Sequence, residues 1–472
     1  MQFWTDTAVL DLLWLGLFLF VAQAANRRSD LLRRLALPPV LVAGGLGLLL
    51  GPGGLGLLGL HAPVLESLAY HGLGIVFVAM GLQPPPPGAA TGDARSAGYA
   101  VTFFTVAQGI LGLVLVGIAS LVGPAVHPGV GLMLPLGFAQ GPGQALSLGR
   151  AWEEGAGMVA GAQVGLAMAT QGFFWCSVMG VALYHWGRRK GWDEPAGVGP
   201  PPAVRTDDAP LAGAAAQPEA PEAEGADMDP LTRTLALIAV LYLATWGVLQ
   251  GLGAALSGAP KIAASIAGFH FLIGLGFAVG VRSLVQRRGA AHALDGQSLG
   301  RVAGVAVDLT ATAAIAAVRI DQIADQMHLI LIFGVICAVT TALGCVWLGS
   351  RAFRSARFAH VLVLFGTMTG TLPTGLALAR LSDPSLSGPA PRSFVGGTTL
   401  AALLGLPLIL FVLPFAVAGW PEAHFSRLGL TLLLLLVYIG LLVAGWRRLS
   451  QLGPLGGPLW APAPGAPDAH AS

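Results

Sequence analysis

Charge is scarce in this chain. Of its 472 residues, 10% are Asp, Glu, Lys or Arg, against roughly 25% in an average soluble domain, which excludes reading this length as two or three soluble domains. The 25 basic residues are nearly matched by 23 acidic ones, leaving a net charge of +2, so no basic surface for nucleic acid is expected. With 3 cysteines the chain lacks the even-numbered framework of a secreted disulfide scaffold. The H-E-x-x-H, P-loop and G-x-S-x-G signatures are also missing, and with them the usual marks of metal proteolysis, ATP-driven pumping and hydrolase chemistry. The chain is therefore not expected to be an enzyme, and energy for any transport has to come from an ion gradient.

Apolar residues are abundant instead: 55% of the chain is hydrophobic and the mean hydropathy is +0.74. A helix crosses the hydrocarbon core with roughly 20 apolar residues, because in lipid each backbone group has to be paired within its own segment. Such stretches fall at 8–25, 38–60, 64–82, 98–122, 158–186, 231–252, 262–281, 301–320, 327–349, 394–417 and 425–446. The first could pass for a secretory signal, but Asp6 precedes it and Arg27, Arg28, Arg33 and Arg34 follow it. That order predicts an uncleaved anchor with its N-terminus outside.

Two more apolar stretches, 131–150 and 359–380, are broken at their middles by Gly141, Pro142 and Gly143 and by Gly370, Pro373 and Gly375. Charge decides whether these cross or turn back, because Lys and Arg concentrate in cytoplasmic loops and each crossing changes the side. If both are re-entrant hairpins, Arg188, Arg189, Lys190, Arg282, Arg287, Arg288, Arg351, Arg354, Arg357, Arg392, Arg447 and Arg448 all fall on the cytoplasmic side, and Asp321 and Asp325 outside.

Residues 191–229 turn to Pro, Ala, Gly, Glu and Asp, a composition that buries too little surface to fold and predicts a disordered cytoplasmic linker. The expected architecture is an all-α polytopic membrane protein of two inverted repeats. The first is 1–190 with a hairpin at 131–154, and the second 230–420 with a hairpin at 359–383. An extra helix at 421–450 and a disordered tail at 451–472 follow. The hairpins echo one another: Gly137, Gly141, Ala145, Leu146, Leu148 and Arg150 fall in order, with one gap, against Gly366, Gly370, Gly375, Leu376, Leu378 and Arg380.

Inverted repeats with interrupted helices are a recurring plan of secondary transporters, since broken helices expose N–H and C=O groups near the midplane. The candidate substrate-binding residues are Gln140, Gly141, Gly143 and Gln144 at one tip and Thr367, Thr369, Gly370, Thr371 and Thr374 at the other. The competing account is close packing by small residues, with each Thr bonded to its own helix. One hairpin alone fits that account better; a matched pair favours a site. Asp308, beside Thr310 and Thr312, falls within the span 301–320, where a lone carboxylate costs about 2.5–3.5 kcal/mol on insertion scales. It predicts a cation or proton site or a counter-charge for an amine, set against a structural pair with a buried Arg or a water-facing helix. Arg150 and Arg380 read best as snorkelling or topology-setting groups. Gln108, Gln163, Gln171 and His270 read as glue between helices, Cys176, Cys337 and Cys345 as small hydrophobes, and Pro84–Pro87 as the end of the third span.

The run Gly370-Thr371-Leu372-Pro373-Thr374-Gly375-Leu376-Ala377 is similar to the Gly-Ala-Thr-Pro-Thr-Ala-Ile-Ala stretch of the bacterial sodium:glutamate symporter family. Pro39-Val40-Leu41-Val42-Ala43-Gly44-Gly45 looks like that family's Pro-Glu-Pro-Val-Ala-Gly-Gly, Gly81-Leu82-Gln83 like its Gly-Leu-Asn, and Val318-Arg319-Ile320-Asp321 sits where it has Leu-Lys-Leu-Trp-Glu. The resemblance extends over most of both halves. It implies a homodimeric, sodium-coupled carrier of glutamate or aspartate in the bacterial inner membrane, moving a hairpin-bearing domain in elevator fashion. Its partners would be a small anionic substrate, the lipid bilayer and a second copy, with no cofactor besides the coupling ion. The first hairpin departs from the family in lacking its hydroxyls. Asp308 stands where the family tends to have Ser, a charge that would suit a proton in place of sodium. The alternatives are a proton-coupled carrier or exporter of another organic acid or amino acid, and a non-transporting sensor or a channel.

Overall fold

The computed structural model describes residues 6–30, 32, 35, 37–84, 92–192, 228–290, 294–386, 388–450, 452–453 and 460. The linker expected at 191–229 is described only at its two ends, and Arg33, Arg34, Pro85–Pro87 and nearly all of the tail lie outside the described residues.

The described chain is helical: α1 (Thr7–Arg28), α2 (Pro39–Leu50), α3 (Ala62–Leu82), α4 (Gly92–Val122), α5 (Pro128–Phe138), α6 (Pro142–Ala156) and α7 (Gly161–Arg189) before the linker. After it come α8 (Pro230–Ala255), α9 (Pro260–Ala267), α10 (His270–Arg287), α11 (Gly296–Ala316), α12 (Met327–Ala352), α13 (Arg357–Met368), α14 (Leu372–Ala379), α15 (Pro389–Pro407), α16 (Leu413–Val417) and α17 (His424–Leu449). Among the described residues nine helices are long and apolar enough to cross a membrane, or ten if the bent pair α9 and α10 is one span. The chain is a multi-pass membrane protein. Starts and stops follow local chemistry: Asp6, Asp229 and Asp295 accept from first-turn N–H groups of α1, α8 and α11. Arg residues close α1, α7, α10, α12 and α17, where they complement the helix dipole.

Three spans differ from the sequence expectation. The span expected at 38–60 holds only the 12-residue α2, because Gly51-Pro52-Gly53-Gly54 ends it and the residue before a proline disfavours the α conformation. The span expected at 262–281 is broken at Gly268–Phe269 by a bend of 56°. A Cβ at Gly268 would lie 2.6 Å from that of Ala151 on α6, so the break is where another helix approaches closely. The span expected at 394–417 starts earlier, at Pro389, and passes through a π-turn at Leu408–Val412 before α16. Pro414 lacks the N–H that an α-turn would need there, and the wider turn accommodates the loss.

The helices pack in two groups, α1–α3 with α8–α11 and α4–α7 with α12–α17. Contacts recur in matched pairs. α2 runs along α11, with Gly44 against Ile315, as α10 runs along α3, with Gly81 against Ala278. α15 lies along α4, with Gly98 against Gly397, as α7 lies along α12, where Gln171 donates to Ile330 O at 3.0 Å. α3 and α11 cross antiparallel with Gly72 beside Thr310, and α4 and α12 cross antiparallel with Phe104 beside Gly344. At each crossing glycine lets the backbones approach, as in other packed membrane helices.

One end of the bundle joins Ser96 to Ser450 at 2.8 Å, Gly453 N–H to Arg351 O at 3.0 Å, and the Trp192 ring to Phe358. It gathers Arg188, Arg189, Lys190, Arg351, Arg357, Arg392, Arg447 and Arg448. The other end joins Asp11 to His61, Ser120 to His424 and Gln326 to Val159. α5 and α6 form a helical hairpin based at this second end, where His127 Nε2–H donates to Ala156 O at 3.1 Å and ties the two legs. α13 and α14 form a hairpin based at the Arg-rich end. The hairpins expected at 131–154 and 359–383 thus have helical legs at 128–156 and 357–379.

Candidate functional site

The first tip follows from its sequence. α5 stops at Phe138, and Gln140 N–H reaches back to Pro135 O at 3.1 Å. Gly141 then takes φ 88° and ψ 173°, a conformation essentially confined to glycine. Pro142 opens α6 at a position where its missing N–H costs nothing. No side chain caps α6, so the N–H groups of its first turn remain for something else. Gln144 Nε2–H donates to Gln140 Oε1 at 3.2 Å, while Gln144 Oε1 is buried with no partner among the described residues.

The second tip is tied more tightly. Thr371 and Thr374 form a capping box at the start of α14. Thr371 N–H donates to Thr374 Oγ1 at 2.8 Å, and that hydroxyl lies 2.9 Å from Gly366 O and 2.7 Å from Thr371 O. Thr367 donates to Val363 O and Thr369 to Phe365 O, each at 2.7 Å. Three of the four threonines therefore spend their hydroxyl protons on backbone carbonyls of their own hairpin. Gln108 of α4 reaches in from the side, donating from Nε2 to Met368 O at 2.8 Å and to Thr341 Oγ1 at 3.1 Å. Its Oε1 is buried with no partner among the described residues.

The tips touch. A Cβ at Gly141 would lie 3.2 Å from Thr371 Cγ2. Behind them Gly172 of α7 admits both, since a Cβ there would lie 2.7 Å from Thr369 O and 3.3 Å from Phe138 Cα. Phe173 packs at Gly370, where a Cβ would meet its ring at 3.2 Å. On the remaining side the start of α6 meets α3 and α11: a Cβ at Gly143 would lie 3.0 Å from Leu73 Cβ and 3.2 Å from Thr310 Cγ2.

Of the α11 candidates, Thr310 joins the tips directly. The hydroxyls of Thr310 and Thr312 are both buried without a partner among the described residues, a deficit of about 1–3 kcal/mol for each polar group left unsatisfied. Asp308 is half-buried and makes no hydrogen bond or ion pair among the described residues. It shares a helix face with Ala311 and Ile315, which pack with Val40 of α2 and with Phe173.

The other polar residues have defined places. Arg150 pairs with Glu66 of α3 and, at 3.2 Å, with Glu153. Arg380 caps α14 and is exposed. Gln163 donates to Glu66 Oε1 at 2.8 Å and accepts from Arg319 N–H at 2.7 Å. His270 Nε2–H donates to Tyr70 O at 3.0 Å. The three cysteines are buried. Sequence reasoning passed over Glu66 and Asp11, whose signal was being the single acidic residue within an apolar span. It also passed over the pairing of Gln108 with the second tip, for which a lone mid-span Gln was the only sign. Among the described residues no three His, Cys, Asp or Glu side chains gather as a metal site.

Chemically, the meeting point offers free N–H groups at the start of α6, suited to a carboxylate. Beside them stand the oxygens of Gln108, Gln144 and Thr310, unpartnered among the described residues and suited to a cation or to donors on a substrate. Comparison of the chain with protein-family models, with curated proteins and with solved structures returns no match.

Proposed function

We propose that the chain is an ion-coupled secondary symporter for a small carboxylate, glutamate or aspartate foremost, working by alternating access. The observation that carries this reading is the contact of two helical hairpins based at opposite ends of the bundle. One tip has an uncapped helix start, and the buried side-chain oxygens of Gln108, Gln144 and Thr310 near the two tips lack partners among the described residues. A buried polar group is ordinarily satisfied, and a ligand between the tips would satisfy these.

The matched packing pairs support two inverted repeats, because α3 and α11, and α4 and α12, are counterparts that run antiparallel. With the Arg-rich end in the cytoplasm, the N-terminus lies outside and the linker and C-terminus inside. The resemblance to the sodium:glutamate symporters supports sodium as the coupling ion, an elevator movement of the hairpin-bearing group, a homodimer and a bacterial inner membrane. A proton is the second reading of the coupling ion, favoured by the Asp308 carboxyl, which is unpaired among the described residues.

The test is uptake of labelled glutamate into proteoliposomes under imposed sodium or proton gradients. Gradient-dependent, saturable accumulation is expected. Absence of uptake under both gradients removes the assignment, and flux that never saturates or concentrates substrate replaces it with a channel.

A further inference from the structure

The two hairpins are held differently. The second leg of the first hairpin, α6, packs against α3, α9 and α11 of the other helix group, whereas its counterpart α14 packs on α13, α15 and α7 and makes no comparable contact with that group. Polar bonds follow the same division. Arg150 of α6 pairs with Glu66 of α3, and Glu66 also accepts from Gln163 of α7 at 2.8 Å. Gln163 in turn holds the chain after α11, donating to Ala317 O at 3.3 Å and accepting from Arg319 N–H at 2.7 Å. One turn deeper, Ser147 of α6 donates at 2.8 Å to Gly268 O, the carbonyl freed by the break between α9 and α10. Ala151 sits against Gly268 and is buried there. Arg380, the sequence counterpart of Arg150, has no such partner among the described residues.

We propose that these residues form a two-point latch, Arg150 and Gln163 on Glu66 and Ser147 on the α9–α10 break, which clasps the first hairpin to the neighbouring helix group and closes the Arg-poor side of the molecule. The second hairpin is unlatched, so the structure is the state closed at the Arg-poor end. The broken helix has a use in this arrangement, since an unbroken α9–α10 would keep the Gly268 carbonyl in its own ladder. The purpose of the latch rests on the carrier reading; its geometry does not.

Ala151→Cys, in a background with Cys176, Cys337 and Cys345 replaced by Ala, reports the latch. A membrane-impermeant maleimide applied to the Arg-poor side of the full-length protein in liposomes should label it slowly. Glu66→Gln and Ser147→Ala should each speed labelling by about threefold or more, the range in which loss of one partly exposed ion pair or hydrogen bond shifts a two-state population. Arg150→Lys, which keeps a cation on Glu66 and Glu153, should label near the parent rate while Arg150→Gln labels faster, a split that a general loss of folding would not produce. Unchanged labelling in both Glu66→Gln and Ser147→Ala, or equal labelling of Arg150→Lys and Arg150→Gln, overturns the latch. If labelling responds as expected while no gradient drives glutamate uptake, the latch stands and the carrier reading falls.

Discussion

Thr310 is buried in α11 against the start of α6, and its hydroxyl finds no partner among the described residues. Replacing such a group by an apolar one of the same shape is nearly neutral or stabilising in the empty protein. Thr310→Val should therefore leave the melting temperature unchanged or raise it in ion-free buffer, while abolishing any stabilisation by sodium or glutamate. A variant that melts lower without ligand and keeps the ligand effect would mean that the hydroxyl serves structure alone. Asp308→Asn separates the two coupling ions: uptake that loses its proton dependence identifies the carboxyl as the coupling group, and unchanged ion dependence removes that role. His127 makes a prediction of another kind, outside the spans. It caps α5, accepting from Gly129 N–H through Nδ1 at 3.0 Å. Burial pushes it from 6.5 down to about 4, against its donation to Ala156 O, which pulls it up, and with His424, which pushes it down further. The folded protein prefers the neutral ring, so this contribution is complete above pH 6.5 and is lost as pH falls through 4. At most it amounts to about 3 kcal/mol. Melting temperature should fall over that window, and His127→Asn, which keeps a cap without a titrating ring, should flatten the slope. An identical slope in the variant would show that other groups carry it.

A hairpin that turns inside a membrane depends on its corner. Gly141 sits where a side chain is strained by about 1–3 kcal/mol, and a Cβ there would press on Thr371. Gly304, in the middle of α11, has nothing within 4 Å of such a Cβ. Gly304→Ala should stabilise the protein by up to about 1 kcal/mol through its better helix propensity, while Gly141→Ala destabilises it and parts the tips. Equal effects in thermal unfolding would contradict the assigned turn. Both corners were legible in the sequence because Gly and Pro interrupt an apolar run there, and backbone chemistry at a break is local. The short α2 and the bend at Gly268 were not legible as breaks: hydropathy measures apolarity alone, and 38–60 and 262–281 remain apolar across their interruptions. Nor could sequence pair Gln108 with Met368, 260 residues away, since the contact exists only once α4 and the second hairpin are packed. The hydroxyls of the second tip were readable as a row of threonines. The bonding of Thr367, Thr369 and Thr374 to carbonyls of their own hairpin depends on the turn geometry between α13 and α14.

At the scale of the whole molecule, one topological choice decides between the carrier plan and any other. Two hairpins put both flanks of each on one side, whereas full crossings put them on opposite sides. Charge favours the first arrangement, since it gathers Arg188, Arg189, Lys190, Arg351, Arg447 and Arg448 at one end, where each charge resists translocation. The flanks can be interrogated directly, because Ala125 and Val159 border the first hairpin, Ser355 and Pro384 border the second, and all four are exposed. Single cysteines at Ala125 and Val159 should react with an impermeant maleimide from the outer face of intact cells, and those at Ser355 and Pro384 only after the inner face is opened. A protease site placed within 193–227 should be cut only from that inner face as well. If Ala125→Cys and Val159→Cys report from opposite faces, the first hairpin crosses completely, the two halves lose their inverted relation, and the tips can no longer form a shared pocket reached alternately from either side.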